Sequence, residues 1–306
     1  MNQELLNIIF RQTGASKLLS SELIQDLWSG YGELLRLRLD SSSVILKLIQ
    51  IPDTKKHPRS WNSNIGHQRK IKSYEVETHW YKNFNQEIST AKLPKYIASG
   101  KLENDQQYLI LEDLKELNFY PAKSLSWQKV KLCIQWLAHF HKTNLNRAPI
   151  GLWPIGSYWH LKTRPEELEA MDDLELKLAA AQIDEKLNAA KFKTIIHGDA
   201  KLANFLFSKD ACAAVDFQYV GGGIGMKDLA YFMSSIYEES DLQAYEKKCL
   251  DSYFETLALP DVEKEWRDLY AFAWADFYRF LQGWAPGHRK LNLYSEKMRG
   301  LALSKL

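Results

Sequence analysis

The sequence predicts an α+β fold, with antiparallel hairpins toward the N-terminus and helices filling the larger C-terminal part. Two observations lead there. Leu35, Leu37 and Leu39 alternate with Arg36 and Arg38, the period of a half-buried strand, and a second apolar run over 44–49 returns after the turn residues Asp40-Ser-Ser-Ser. Beyond residue 126 the period changes: Val130, Ile134, Leu137 and Phe140 recur at three- and four-residue intervals, as on a helix with one buried face. With 306 residues, 45% hydrophobic and 25% charged, the chain suits one large or two medium domains.

The N-terminal elements follow in order. Residues 1–28 read as a helix and then an extended segment, broken at Thr13-Gly14. Gly30 and Gly32 stand just before the first hairpin strand. They serve either a plain hairpin turn or a loop whose backbone N–H groups approach phosphate oxygens. Lys47 interrupts Val-Ile-Leu-Lys-Leu-Ile, the most apolar strand of this region. An ammonium at a strand centre either faces water or needs a partner or an anion. Residues 51–72 carry many Lys, Arg and His against one acid, Asp53, and read as an exposed, mobile insertion. Such a run is either solvated or a lid that attracts an anion. Val76, Trp80 and Phe84 then keep helical spacing beside Glu75 and Glu77. Residues 93–100 and 106–111 form a further hairpin turning at 103–105.

In the C-terminal part, Ser126 caps the first helix. His139 and His141, two apart on it, diverge and are read as core or surface histidines. Trp153, Tyr158 and Trp159 lie in a loop-like segment, where they either pin the loop or wall a pocket. Thr163-Arg-Pro-Glu reads as a capping box opening a helix that runs to about residue 190. Residues 218–227, with Gly221, Gly222, Gly223 and Gly225, read as a flexible loop. Asp228 is expected as a helix N-cap or a brace for the preceding loop. Helices close the chain over 241–258 and 261–284.

The chemistry concentrates in 195–217, I-I-H-G-D-A-K-L-A-N-F-L-F-S-K-D-A-C-A-A-V-D-F. A buried strand over 193–196 ends at His197-Gly198. Residues 205–208 and 211–215 form a hairpin around Lys209-Asp210. Asn204 and Asp216 therefore fall at its open end, on strands about 5 Å apart. Asp199 lies on the loop feeding that end. Nothing basic in the local sequence pairs with both acids, and a hard divalent cation such as Mg²⁺ is the natural neutraliser. Either acid alone reads as a turn residue; together, D-x-x-x-x-N and the second Asp follow a phosphoryl-transfer pattern.

H-G-D-A-K-L-A-N, V-D-F-Q and D-L-A-Y-F resemble the aminoglycoside phosphotransferase and choline kinase-like superfamily of small-molecule kinases. S-Y-E-V-E-T-H-W-Y, L-I-L-E-D-L and L-A-H-F-H are similar to its ecdysteroid kinase-like (CHK-type) branch. The resemblance runs from about Gly30 to near Trp284. It implies a protein-kinase-like, two-lobed fold, with a nucleotide-binding lobe over 1–112 and a catalytic and substrate-binding lobe over 113–306. The implied activity is ATP-dependent, Mg²⁺-assisted transfer of phosphate to an alcohol group of a small molecule. Asp199 would take the acceptor proton, while Asn204 and Asp216 hold the metal. Lys47, braced by Glu77 with Glu75 as competitor, would hold the ATP phosphates. Lys201 would offset charge on the γ-phosphate, or is a surface lysine. Glu112 to Leu114 would be the hinge, holding the base through main-chain groups. Asp276, Arg279 and Trp284, with Trp153, Tyr158 and Trp159, are substrate-side candidates. For Asp276 and Arg279 a surface i,i+3 pair competes.

H-G-D in place of H-R-D, D-F-Q in place of D-F-G and the lack of an A-P-E-like segment argue against a protein substrate. Two rival readings stand beside the small-molecule kinase: a nucleotide-binding pseudo-kinase or regulatory module, and an atypical protein kinase. Residues 221–225 fit neither a Walker A nor a dinucleotide-binding fingerprint. A net charge of +2 gives no general pull toward nucleic acid or membrane. With no long apolar run and no basic leader at M-N-Q-E-L-L-N-I-I-F, the expected location is the cytoplasm. Cys133, Cys212 and Cys249 are expected as small buried residues in a reducing compartment.

Overall fold

Asn2 and Gly14 bracket the first helix: the Asn2 side chain accepts from the Glu4 N–H, and Gly14 takes a left-handed φ of 73°. In the computed structural model, which describes residues 2–27, 30–51, 64–84, 91–103 and 106–306, helix α1 (Gln3–Thr13) leads into strands β1 (Leu18–Asp26), β2 (Gly32–Leu39) and β3 (Ser43–Ile49). Helix α2 (Asn64–Asn83), strands β4 (Tyr96–Lys101) and β5 (Gln107–Glu112) and the short β6 (Tyr120–Pro121) follow. Next come α3 (Trp127–Thr143), α4 (Pro165–Glu169), α5 (Leu174–Asn188), β7 (Thr194–Ile196), β8 (Phe205–Phe207), β9 (Cys212–Ala214) and β10 (Gly221–Gly223). The chain closes with α6 (Gly225–Ile236), α7 (Glu239–Leu257), α8 (Pro260–Trp284) and α9 (Leu293–Leu303).

The expected α+β class holds: an antiparallel-sheet N-terminal unit and a mainly helical C-terminal one. The first unit comprises Met1–Ile88, Lys92–Pro121 and Leu206–Val215; the second comprises Ser89–Ala91, Ala122–Phe205 and Asp216–Leu306. Strand pairing underlies this division. β6 pairs with β8 through Tyr120 and Phe207, and Lys92 bridges Ala213, so the hairpin groups with the first unit.

In the first unit the sheet order is β1-β2-β3-β5-β4, antiparallel throughout. The leucines of the expected alternation do what their period requires. Leu37 and Leu39 join Leu46, Ile110 and, from α1, Leu5 and Ile9 in one core. Helix α2 begins at Asn64, so residues 64–72 of the basic 51–72 segment are helix rather than loop, with Arg69 buried. Residues 52–63 of that segment and the 104–105 turn lie outside the described residues.

In the second unit, the Ser126 side chain accepts from the Lys129 N–H and starts α3, as expected. The single helix expected from Thr163 to about residue 190 is two. The N-cap of α4 is Arg164 rather than Thr163, whose hydroxyl donates back to the His160 carbonyl, and Asp173 caps α5 by accepting from the Leu176 N–H. α9, not anticipated from the sequence, starts under an Asn292 cap and packs Tyr294 against Trp274 of α8.

The glycine run expected as a flexible loop instead contains a strand, with Gly221 buried and Gly222 and Gly223 half-buried. β10 pairs with β7, Gly221 opposite Ile196 through Gly223 opposite Thr194. A Cβ on Gly221 would lie 2.2 Å from the Trp153 carbonyl oxygen, and one on Gly225 would lie 2.1 Å from the Tyr253 hydroxyl. These glycines admit close packing of other groups.

Helix α6 starts at Gly225, so Asp228 lies inside it and is no N-cap. It is the brace. Its fully buried carboxylate accepts from His197 N–H at 2.6 Å, Gly198 N–H at 2.9 Å and His141 Nε2–H at 3.0 Å. Burial works against the anion, but these bonds and the two histidines outweigh it and hold its pKa below the usual carboxylate range. Its stabilising contribution is therefore present above the ordinary carboxyl pKa and is lost as pH falls through the lowered value. Among the described residues no helix is long and apolar enough to cross a membrane.

Two measurements check this packing. Gly221→Ala should lower stability in denaturant titration by about 1–3 kcal/mol, whereas Gly300→Ala, whose Cβ meets nothing within 4 Å on α9, should raise it by roughly 0.4–1 kcal/mol. Asp228→Asn, which turns one accepting oxygen into a donor facing a donor, should cost about 1–3 kcal/mol near neutral pH. That deficit should narrow below pH ~4, where the wild type loses its own carboxylate.

Candidate active site

Strand β7 delivers the chain to His197-Gly198-Asp199. Gly198 has φ 78° and passes so close to Tyr219 that a Cβ would sit 2.1 Å from its carbonyl oxygen. No other residue fits there without shifting the backbone, which accounts for Gly before the acid. The next amide, Asp199 N–H, donates to His197 Nδ1 at 3.2 Å. The 3₁₀ turn Leu202–Asn204 then carries Asn204 back toward Asp199. Asn204 Nδ2 donates to the Asp199 carbonyl at 2.8 Å and to its carboxylate Oδ2 at 3.1 Å. Lys201 Nζ binds the same Oδ2 at 2.9 Å.

Asp216 begins the return from the hairpin with φ 68°, a left-handed conformation that Asp tolerates better than most residues. Gln218 Nε2 donates to its Oδ1 at 2.8 Å. Burial pushes the Asp199 carboxyl upward; Lys201 opposes this and the charge of Asp216 adds to it. Asp199, Asn204 and Asp216 therefore share one electrostatic neighbourhood. No cation was expected to act on both acids, but Lys201 does so, since both raise its affinity for a proton.

The donor set suits a hard cation. Two acceptors on Asp199 demand the NH₂ of Asn204, which leaves its amide oxygen to face elsewhere. An amide oxygen and one carboxylate match the sparse protein ligation of Mg²⁺, the remaining positions falling to substrate oxygens and water. Among the described residues no group of three or more His, Cys, Asp or Glu forms a cage of its own.

In the first unit, Lys47 is buried and its Nζ lies 2.6 Å from Glu77 Oε2, itself buried. The solvent-facing alternative for Lys47 is thereby corrected. Glu75, the competitor, is exposed and pairs with Lys72 at 3.4 Å. The two acids lie on different helix faces, as a two-residue separation requires. Gly32 has a structural cause: a Cβ would sit 2.0 Å from the Leu48 carbonyl oxygen of β3, while Gly30 needs its φ of 75°. Glu112 ends β5 and binds Lys92 at 2.9 Å, and Leu114 starts a 3₁₀ turn capped by Asp113. Asp113 in turn accepts from Arg36 and Ser43.

The expected acceptor-side residues separate into two groups. Trp159, Asp276 and Arg279 are core residues: Asp276 binds Lys227 at 3.1 Å, Arg279 at 2.8 Å and Trp159 Nε1 at 3.0 Å. Asp276 and Arg279 are therefore not the surface pair considered above. The two cations overcome burial and hold the Asp276 carboxyl far below its usual range. Trp153 pins the loop, donating to the Gln218 carbonyl at 2.8 Å and stacking on Tyr219. Trp284 is exposed and stacks on Phe280 at the end of α8. Tyr158 stays beside the acid, its hydroxyl raised by burial and by the charge of Asp199. Tyr231, missed from the sequence though it sits in D-L-A-Y-F, packs its ring edge-on to Tyr158 with ring centres 5.5 Å apart, and burial and the charge of Asp199 push its hydroxyl pKa well up. Its place three residues after Asp228 on α6 was the available signal, since that spacing shares a helix face.

The sequence model of the phosphotransferase enzyme family matches residues 33–290. Solved structures share the fold along the whole chain. A candidate fructosamine-3-kinase from Thermobifida fusca aligns with TM-score 0.60 and 15% identity, covering 99% of each chain. A candidate aminoglycoside phosphotransferase from Ralstonia eutropha JMP134 gives 0.57 and 15%, covering 99% of this chain and 96% of that one. A thermostable mutant of aminoglycoside phosphotransferase APH(4)-Ia, in ternary complex with ADP and hygromycin B, gives 0.58 and 9% over 97% of each chain. At such identities the likeness is one of fold. No curated protein matches the chain. The family match takes in Lys47, Glu77 and the whole 199–216 constellation, and on it the chain belongs to the phosphotransferase enzyme family.

Proposed function

We propose that the protein is an ATP-dependent kinase that phosphorylates a hydroxyl group of a small molecule. The observation that carries this reading is the orientation of Asn204: held by Asp199 through its NH₂, it leaves an amide oxygen for a cation in the neighbourhood of Asp216. Asp199 orients the acceptor hydroxyl and takes its proton as the new oxygen–phosphorus bond forms. The bond between the β–γ bridging oxygen and the γ-phosphorus breaks, and ADP leaves with that oxygen. Asn204 and Asp216 would hold Mg²⁺, which supplies charge neutralisation for the phosphates when bound. Lys47, kept in place by Glu77, binds phosphate oxygens of the nucleotide. Lys201 offsets charge developing on the transferred group. Most of the acceleration then comes from positioning and electrostatics.

Motifs around Glu77, Glu112 and His141 favour the ecdysteroid kinase-like branch within the family. The three free, buried cysteines suit a reducing compartment, and we assign the protein to the cytoplasm on that basis.

Asp199→Ala should lower kcat by roughly 10²–10⁴, the scale for a general base, while Mg-ATP still raises the melting temperature. Turnover unchanged in that variant would contradict the assignment. Glu77→Ala removes a carboxylate from the buried Lys47 ammonium; it should raise the KM for ATP and cost about 3–5 kcal/mol in stability. Glu75→Ala, which breaks an exposed pair, should leave both readouts near wild type.

A further inference from the structure

Lys290, in the loop between α8 and α9, has no role in the site described so far. Its Nζ lies 4.8 Å from the ring centre of Tyr231 and 5.2 Å from that of Phe277. Tyr231 packs on Tyr158, and the hydroxyls of both feel the charge of Asp199. The backbone of Lys290 is anchored: its N–H donates to His288 Nδ1 at 3.1 Å, and Ser295 Oγ donates to its carbonyl at 2.8 Å. Its neighbour Arg289 is neutralised by Glu238. Among the described residues, no carboxylate or hydrogen-bond acceptor meets the Lys290 ammonium, yet the amine is not sealed from solvent.

A half-buried ammonium on aromatic faces keeps some electrostatic support from the rings but lacks the hydrogen bonds it had in water. The surroundings sharpen this. Burial and Arg289 bring its pKa down to about 8, with Asp199 acting the other way. Nearby acids are already engaged: Asp276 with Lys227 and Arg279, Asp228 with the loop amides, and Asp199 with Lys201. An acceptor bearing amines would meet an ammonium here, with Asp199 already held by Lys201. An acceptor bearing an anion would supply the missing partner.

We propose that Lys290 is a specificity residue that binds an anionic group of the acceptor, a carboxylate or a phosphate, while the acceptor's hydroxyl is presented to Asp199. This rests on the kinase reading of Asp199 and narrows its substrate class to acidic hydroxy compounds.

Three matched probes test it: 4-(hydroxymethyl)benzoate, 1,4-benzenedimethanol and 4-(hydroxymethyl)benzylamine, which offer the same alcohol beside a negative, neutral or positive group. Each is assayed for phosphorylation with Mg-ATP. Each is also tested for protection of Lys290 against limiting acetic anhydride, read by mass spectrometry of the intact enzyme's peptides. The carboxylate should be the best acceptor and should alone protect Lys290. Lys290→Met should erase roughly tenfold or more of the preference for the carboxylate over the neutral probe, through KM, and Lys290→Arg should retain most of it. Phosphate-bearing and sulfonate-bearing analogues of the benzoate separate a general anion site from a carboxylate site. Preference for the amine, equal use of all three, or equal loss on all three in Lys290→Met would overturn the proposal and leave the kinase reading standing. Protection by the carboxylate with no transfer to any probe would uphold the anion site and count against the kinase reading. Absence of both would overturn the anion site.

Discussion

A single buried anion sets where the chemistry can occur. Asp228 receives the N–H groups of His197 and Gly198 and the ring of His141. Three donors on one carboxylate leave the loop after β7 little freedom, and the left-handed Gly198 turns the chain so that Asp199 follows at once. From there Asn204 closes back on Asp199, and the β8–β9 hairpin carries the chain out and returns it to Asp216. Remove the anion and two loop amides lose their acceptor in a site closed to water, a penalty large beside typical net stability.

A second buried network does a different task. Lys227, Asp276 and Arg279 tie α6 to α8 and take in the ring nitrogen of Trp159. The guanidinium of Arg279 also donates to the Trp159 carbonyl. Buried ion pairs of this kind contribute little net stability after desolvation. What they supply is placement: Trp159 is held, and Tyr158 beside it is kept against Tyr219 and Tyr231. The wall around Asp199 is thus built from aromatic hydroxyls whose positions are determined in the core.

Much of the frame was legible from residues alone, because it depends on short-range patterns. The Leu–Arg alternation of β2 follows from a period of two, the hairpin that brackets Asn204 and Asp216 and the Ser126 cap from turn and cap residues, and the choice of Glu77 over Glu75 from the resemblance to the pattern E-x-x-aromatic-Tyr. The failures share a physical cause. Glycines 221, 222, 223 and 225 look flexible by composition, yet Gly221 and Gly225 are demanded by atoms distant in sequence, the Trp153 carbonyl and the Tyr253 hydroxyl. Asp276 and Arg279 have the spacing of a surface pair, and only the packing of Lys227 and Trp159 against them makes them interior. Lys290 gave no signal, since its setting is made by rings from two helices that precede it in the chain.

The central claim is that Asp216 and the amide oxygen of Asn204 grip a magnesium ion on the nucleotide's phosphates. A crystal structure with Mg²⁺ and a non-hydrolysable ATP analogue tests it most directly. The expected result is octahedral density with both oxygens at about 2.0–2.1 Å and the NH₂ of Asn204 still on Asp199. A nucleotide bound with its metal ligated elsewhere, or with Asn204 turned to present nitrogen, would contradict it.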